Sequence, residues 1–131
     1  NESSVPDDAA VARRLDMFHA PYHAALAAEI ERVHKLHGIA VLYDCHSIRS
    51  GIPFLFSGKL PDFNIGTDTG RTCAPEFEQA TAELTTAAAS DGYSSIVNGR
   101  FKGGWTTRHY GRPETAVHAI QMELAQSTYM V

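Results

Sequence analysis

Apolar residues recur every three or four positions through the first third of the chain. The positions are Leu15, Phe18, Tyr22, Leu26, Ile30, Val33 and Leu36. This spacing draws one apolar stripe and predicts a helical segment from residue 8 to about residue 37. Asp7 suits the beginning of the segment as a cap, and Gly38 suits its end. Pro21 falls inside the pattern, so we expect either a kink there or two helices in succession.

Four shorter apolar runs predict strands. Residues 39–43 include β-branched side chains and follow a helix and a glycine, which is typical of a buried strand. Residues 117–124 begin with alternating apolar and polar positions, and their length favours a strand. Residues 94–97 predict a short strand, and residues 63–65 predict another inside the Gly- and Pro-rich stretch 48–74.

A second helix is predicted from residue 75 to about residue 89, because Pro75 suits a first helical position. Its expected apolar face consists of Phe77, Ala80, Leu84 and Ala88. Residues 98–113 are expected to form a Gly-rich basic loop. Helices alternate with strands, so the fold class is α/β with a layered sheet. We expect residues 1–131 to be one partial domain, because a buried strand needs neighbours on both sides and few strands are available.

Composition narrows the class of protein. The chain has 131 residues, of which 44% are apolar and 20% are charged, as in a folded globular domain. Its net charge of −4 argues against nucleic-acid binding. No apolar run is long enough for a membrane span, and the first residues do not resemble a secretory signal. Two cysteines favour reduced thiols, so we expect a cytoplasmic protein.

His46 is the first candidate for chemistry, because it directly follows the predicted strand 39–43. Binding sites in α/β proteins gather at the carboxyl ends of strands, and a neutral imidazole is a good zinc ligand. Asp44, two residues away, is suited to orient the imidazole ring. The alternative is a hydrogen-bonded histidine without a metal, since one histidine is not a set of ligands.

Glu123 is the second candidate, because it lies late in an otherwise apolar strand. A carboxylate in such a position is seldom fully buried unless it is paired or functional. It could serve as a general base with a raised pKa that activates a water molecule. A salt bridge to an arginine of the preceding loop is the alternative.

The loop at residues 98–113 holds four basic residues and no acidic one. They are Arg100, Lys102, Arg108 and Arg112. This local reversal of charge indicates an anion site, and arginine binds a carboxylate through two parallel hydrogen bonds. Gly103 and Gly104 would let the backbone approach a ligand or bend as a lid. A solvated loop, or one that stacks nucleobases, is the alternative. Arg49, after His46, is a further candidate for an anion contact.

Other histidines and cysteines are weaker candidates. His19 and His23 have the i, i+4 spacing of a zinc pair but lack the intervening glutamate of that motif. His118, on an alternating strand, favours a packed or hydrogen-bonded role. Cys45 and His46 are neighbours on a strand and point to opposite faces, which argues against a catalytic dyad.

Five stretches, in one order, resemble the N-formylglutamate amidohydrolase family. They are DCHSIRS at 44–50, PDFNIGT at 61–67, NGRFKGG at 98–104, TRHYGRP at 107–113 and HAIQMELAQ at 118–126. The similarity includes PYHAAL at 21–26 and covers essentially the whole chain. Several long motifs in order are far more specific than any one alone.

The resemblance implies a three-layer α/β sandwich with a mixed sheet, of the zinc-carboxypeptidase and aspartoacylase type and incomplete at its N-terminal side. It also implies zinc-dependent hydrolysis of N-formyl-L-glutamate to formate and L-glutamate, in histidine degradation. By resemblance, His46 is a ligand of the one Zn²⁺, Glu123 is the general base and Arg108 binds the substrate. Weaker candidates for the substrate carboxylates are Arg49, Arg100 and Arg112.

The sequence also departs from the family pattern. The Pro-His-x-Gly-like motif, a further acidic ligand and an Asn-Arg pair of such enzymes have no counterpart in residues 1–131. Catalytic zinc normally has three protein ligands, so this chain alone is expected to bind zinc weakly and to turn over little. Two other functions stay open: a related metal-dependent deacylase or carboxypeptidase for another N-acyl amino acid, and a non-catalytic anion-binding module.

Overall fold

A computed structural model describes residues 5–130 of the chain. Its helices are α1 (Asp8–Arg14), α2 (Ala20–His37), α3 (Pro75–Ala87) and α4 (Trp105–Tyr110). Its strands are β1 (Ala40–Ile48), β2 (Phe63–Gly66), β3 (Ser95–Val97) and β4 (Val117–Ala125). Short 3₁₀ turns occupy Ala88–Asp91, Pro113–Thr115 and Gln126–Thr128. In this part of the chain, none of the helices combines the length and the apolar character of a membrane span.

The predicted N-terminal helical segment is confirmed, with an interruption before its proline. Asp7 caps α1 by accepting a hydrogen bond from Ala10 N. A π-helical turn, Leu15–His19, then joins α1 to α2. Pro21 has no N–H to donate and its ring crowds the preceding turn, which accounts for wider i→i+5 bonding there. Gly38 ends α2 in the left-handed conformation, with φ of 74°.

The four strands form one mixed sheet in the order β1-β4-β2-β3. β1 pairs parallel with β4, β2 pairs antiparallel with β4, and β3 pairs parallel with β2. The strands predicted at 63–65, 94–97 and 117–124 are therefore confirmed. The strand predicted at 39–43 is also confirmed, as the first half of β1, but its predicted burial is wrong. Within residues 5–130 β1 pairs only with β4, so Val41 and Tyr43 are each 47% exposed.

Helices lie on both faces of this sheet. Gln121 of β4 contacts the N-terminal end of α4, whereas the ring of His118 stacks on Phe77 of α3. Side chains three positions apart on a strand point to opposite faces, so α4 and α3 lie on different sides. α2 packs against β1. The α/β class and the mixed sheet are thus confirmed, whereas the carboxypeptidase-like fold stays a prediction.

The main core lies between the sheet and α3. Ile65, Cys73, Ile120 and Met122 are each at most 4% exposed and form one apolar cluster. A second cluster consists of Phe56, Leu60 and Ala125. Helix α3 has nearly the predicted span, and Phe77 lies on its inner face as predicted, but the prediction that Leu84 lies there too is wrong.

Helix α3 is rotated relative to that prediction. Phe77 and Ala82 pack on the core, while Leu84 is 75% exposed. The basic stretch also differs from the predicted loop, because residues 105–110 form the short helix α4.

Candidate functional site

His46 and Glu123 lie side by side on the sheet. They are register partners on the parallel strands β1 and β4, so their Cα atoms are about 4.8 Å apart, the spacing of neighbouring strands. Register partners in a parallel pair point to the same face. Both residues also lie towards the carboxyl ends of their strands, where binding sites in α/β proteins are found. The structure therefore brings together the two side chains that were predicted to act together.

The carboxyl group of Glu123 is almost removed from solvent. Glu123 is 6% exposed. This burial raises the pKa of Glu123, because its negative charge is poorly solvated there. The nearby His46 and a hydrogen bond from Gln121 partly oppose the rise, and Asp44 adds to it. Among the ion pairs of residues 5–130, none includes Glu123, so the salt bridge considered as an alternative is not formed there.

Asp44 and His46 are neighbours on the same face of β1. Asp44 Oδ2 lies 3.1 Å from His46 Nε2, within the distance of an ion pair. That oxygen is buried and has no well-aligned hydrogen-bond donor in the described chain. The His46 side chain is 48% exposed, so its ring is accessible from outside. The pair is thus open to a further group that would compensate the buried carboxylate.

The donor set fits part of a zinc site. Imidazole nitrogen and carboxylate oxygen are both suitable zinc ligands, and His46 offers an accessible ring. Within residues 5–130, however, no group of three or more His, Cys, Asp or Glu side chains is arranged to hold a metal ion. These residues can contribute to a zinc centre but do not complete one.

The four candidate arginines lie in different places. Arg108 is on α4, and its Nη1 donates to Gly103 O at 2.7 Å. Arg49 follows the end of β1, three residues beyond His46. The guanidinium of Arg100 lies 5.1 Å from the centre of the Phe56 ring. Arg49 is thus near His46 along the chain, and α4, which bears Arg108, packs against β4 and β1.

Arg112 lies at the other end of β4. Its backbone bridges to Val117, six positions before Glu123, which places it about 20 Å from that residue along the strand. Arg112 also lines a separate cavity of about 370 Å³ with His34 and Glu31. The structure does not bring it to the pair, and its distance argues against a contact with a substrate held there.

Three glycines let the basic loop lie directly on the sheet. A Cβ at Gly66 would stand 2.4 Å from Gly103 N, and one at Gly103 would stand 2.7 Å from Thr107 Oγ1. Neither contact is sterically possible without a shift. Gly104 N then donates to Gln121 Oε1 at 2.6 Å. The glycines predicted to serve a ligand or a lid therefore serve close packing of the loop on β2 and β4.

Two buried polar residues beside the pair were missed by the sequence reasoning. Gln121 is 6% exposed, and its Nε2 lies 3.4 Å from Glu123 Oε2. Asn64 is 1% exposed and donates to Glu123 O at 3.1 Å, while its own Oδ1 has no hydrogen-bond partner among residues 5–130. The sequence did contain a signal for Gln121. It lies two positions before Glu123, and residues two apart on a strand point to the same face of the sheet.

The weaker histidine candidates lie in aromatic packing. His19 and His23 have ring centres 4.3 Å apart, and Trp105 packs against both. His23 Nδ1 lies 2.7 Å from the Tyr110 hydroxyl, which ties α2 to α4. His118 is packed and hydrogen-bonded as predicted, because its Nδ1 accepts from Ala74 N. A groove of about 700 Å³ along α1 and α2 is lined mostly by exposed apolar side chains and does not include His46 or Glu123.

A comparison with known protein families shows to which family the chain is related. A sequence model described as N-formylglutamate amidohydrolase matches residues 2–130. The chain belongs to the N-formylglutamate amidohydrolase family.

Individual relatives agree with this assignment. The chain is 54% identical over 110 residues to an N-formylglutamate deformylase of Pseudomonas aeruginosa, which covers 84% of the chain and 41% of that protein. It is 52% identical over 118 residues to an N-formylglutamate deformylase of Pseudomonas putida, with coverage of 90% and 43%. A crystal structure of an N-formylglutamate amidohydrolase from Ralstonia eutropha superimposes with a TM-score of 0.80 at 27% identity, covering 94% of the chain and 45% of that structure. The chain thus spans less than half the length of these relatives.

Proposed function

We propose that this chain carries the general base and one metal ligand of an enzyme that hydrolyses N-formyl-L-glutamate to formate and L-glutamate. The observation that carries the proposal is the pairing of buried Glu123 with accessible His46 across β1 and β4. The relatives named N-formylglutamate deformylase supply the substrate class. In a cell this activity would serve histidine degradation, in the cytoplasm.

Zinc is the metal that we propose, with His46 as one ligand. Because the described residues offer fewer than three ligands, the others would come from polypeptide that the relatives have beyond the matched stretch. When bound, zinc would acidify a water molecule and polarise the formyl carbonyl group. Asp44 would hold the imidazole ring of His46 in its orientation through the 3.1 Å contact.

Glu123 would transfer the proton. Burial moves the pKa of Glu123 upwards, towards neutral pH. A group whose pKa is nearer the working pH can both accept and release a proton. Glu123 would take a proton from the attacking water as the oxygen reaches the formyl carbon. It would then return that proton to the nitrogen of the departing glutamate, so the C–N bond breaks with a neutral amine as product.

Arg108 would bind a carboxylate of the substrate. Its guanidinium is anchored at Nη1 by Gly103 O, so the remaining N–H groups are held in a defined direction. Arg49 is the second candidate, because it lies at the end of the strand that bears His46. Two arginines would match the two carboxylates of N-formylglutamate and give selectivity for diacids.

The test uses a chimera in which this chain replaces the stretch that it matches in the Pseudomonas aeruginosa relative. We expect the chimera to release formate from N-formylglutamate, to lose activity on dialysis against a chelator and to regain it with zinc. The chain by itself is the matched control and is expected to be far less active. N-acetylglutamate and N-formylleucine complete the substrate panel.

Each result of the panel decides between functions. Preference for N-acetylglutamate would favour a related N-acyl amino acid deacylase, and preference for N-formylleucine would contradict the carboxylate role of the arginines. A folded, zinc-loaded chimera that hydrolyses none of the three would refute the proposed function.

A further inference from the structure

Gln121 joins Gly104, at the N-terminal end of α4, to the carboxyl group of Glu123. Its Oε1 accepts a hydrogen bond from Gly104 N at 2.6 Å, and its Nε2 faces Glu123 Oε2 at 3.4 Å. Gly104 follows Gly103, whose carbonyl oxygen holds Arg108. A continuous series of contacts therefore leads from the proposed substrate arginine, through two glycines and one amide, to the proposed base.

The polarity of the amide gives this series a direction. A side-chain amide has one end that accepts and one end that donates hydrogen bonds. Because Gly104 N–H donates to Gln121 Oε1, the NH₂ end must face Glu123. Among the hydrogen bonds of residues 5–130, this is the one that reaches the Glu123 carboxylate from another side chain. Gln121 is 6% exposed, so water competes little for either contact.

We propose that Gln121 is a positioning residue that keeps the Glu123 carboxyl group aimed at the substrate whenever Gly104, at the N-terminal end of the helix that bears Arg108, is seated on the sheet. The inference rests on the proposed function. It adds that substrate binding and proton transfer are aligned by one side chain, because displacement of the loop at Gly104 would also release the amide that faces Glu123.

Two substitutions at this position separate the two ends of the amide. Gln121→Glu keeps an acceptor for Gly104 N–H. When the new carboxyl group at position 121 is ionised, however, it has no proton to donate to Glu123. Gln121→Met has a similar length and removes both contacts. Gln79→Glu, at an exposed position of α3, makes the same chemical change away from the site and serves as the matched control.

In the chimera we expect both Gln121 variants to lower kcat by about 10- to 100-fold, the usual cost of losing a residue that orients a catalytic group. KM for N-formylglutamate should stay unchanged in Gln121→Glu, because the loop keeps its contact, and should rise in Gln121→Met. Gln79→Glu should match the unsubstituted chimera. A normal kcat in folded Gln121→Glu, or a change in KM alone, would overturn the inference.

A nuclear magnetic resonance measurement separates this inference from the proposed function. If the unsubstituted chimera is inactive, the proposed function fails, and the side-chain NH₂ resonances of Gln121 still report on its contacts. We expect these resonances to move when Glu123 is replaced by alanine and when Gly104 is replaced by alanine. Unchanged chemical shifts in both variants would show that the Gln121 amide makes neither contact and would refute the positioning role.

Discussion

Replacement of Glu123 by glutamine should remove activity without weakening the fold. Gln has nearly the same volume and can still accept the contact from Gln121 Nε2, so packing and hydrogen bonding are kept. What is lost is a group that can take a proton. Loss of a general base costs about 10²–10⁴ in rate, which corresponds to about 2.7–5.4 kcal/mol of activation free energy. We therefore expect kcat to fall within that range.

Stability should respond in the opposite direction to activity. Burial raises the pKa of Glu123, which means that the folded protein disfavours its charge. A neutral amide removes this cost, so the melting temperature of Glu123→Gln should be equal to or above that of the unsubstituted protein.

The assay is formate release by the chimera, coupled to formate dehydrogenase, with melting temperature and zinc content measured on the same samples. Glu114→Gln, at an exposed residue near the other end of β4, is the control and should leave all three unchanged. More than a tenth of normal turnover in Glu123→Gln would refute the assignment of the base. A clear fall in melting temperature would indicate a structural carboxylate instead.

Three further predictions concern other residues. Arg108→Ala in the chimera should raise KM for N-formylglutamate at least about tenfold, the scale of a lost charged hydrogen bond, and an unchanged KM would remove Arg108 from the substrate site. Burial raises the pKa of Cys73 to about 11, whereas Cys45 is exposed. At pH 8 a thiol reagent should therefore modify Cys45 quickly and Cys73 only after unfolding. Equal rates of modification would contradict the burial of Cys73 in the core. Burial lowers the pKa of His118 below its usual 6.5, so its contribution to stability is complete above pH 6.5 and is lost as the pH falls towards the folded-state pKa. His118→Asn keeps an acceptor for Ala74 N–H. In urea unfolding, this variant should lose less stability between pH 7 and pH 5 than the unsubstituted protein does, and an identical loss in both would disprove this role.

Much of the fold followed from local patterns. The apolar stripe on the first helical segment and the alternation before Glu123 identified α2 and β4, because both patterns depend on short-range periodicity. The short helix α4 was missed, since the two glycines before it and its own threonines are more typical of a loop. The inner face of α3 was misplaced because the alternative faces differ little in apolar content, and contacts with the sheet decide between them.

The site was predictable in part. The motif around His46 and the acid at Glu123 marked two functional positions, mainly through the family resemblance. The pairing register that places them together is a long-range property, and neither strand encodes it alone. Gln121 was overlooked because a polar residue within an alternating strand is normally directed to solvent, whereas α4 and its loop cover this one.

The parallel register of β1 and β4 also makes the site sensitive to chain length. One residue inserted into the middle of β1 would shift its later positions by one, so that Cys45 would stand opposite Glu123 and the imidazole would turn to the α3 face. Insertions in the stretch between β1 and β2 would leave this pairing intact. Attempts to graft or shorten the domain should therefore change that connection and keep every residue from Ala40 to Ile48.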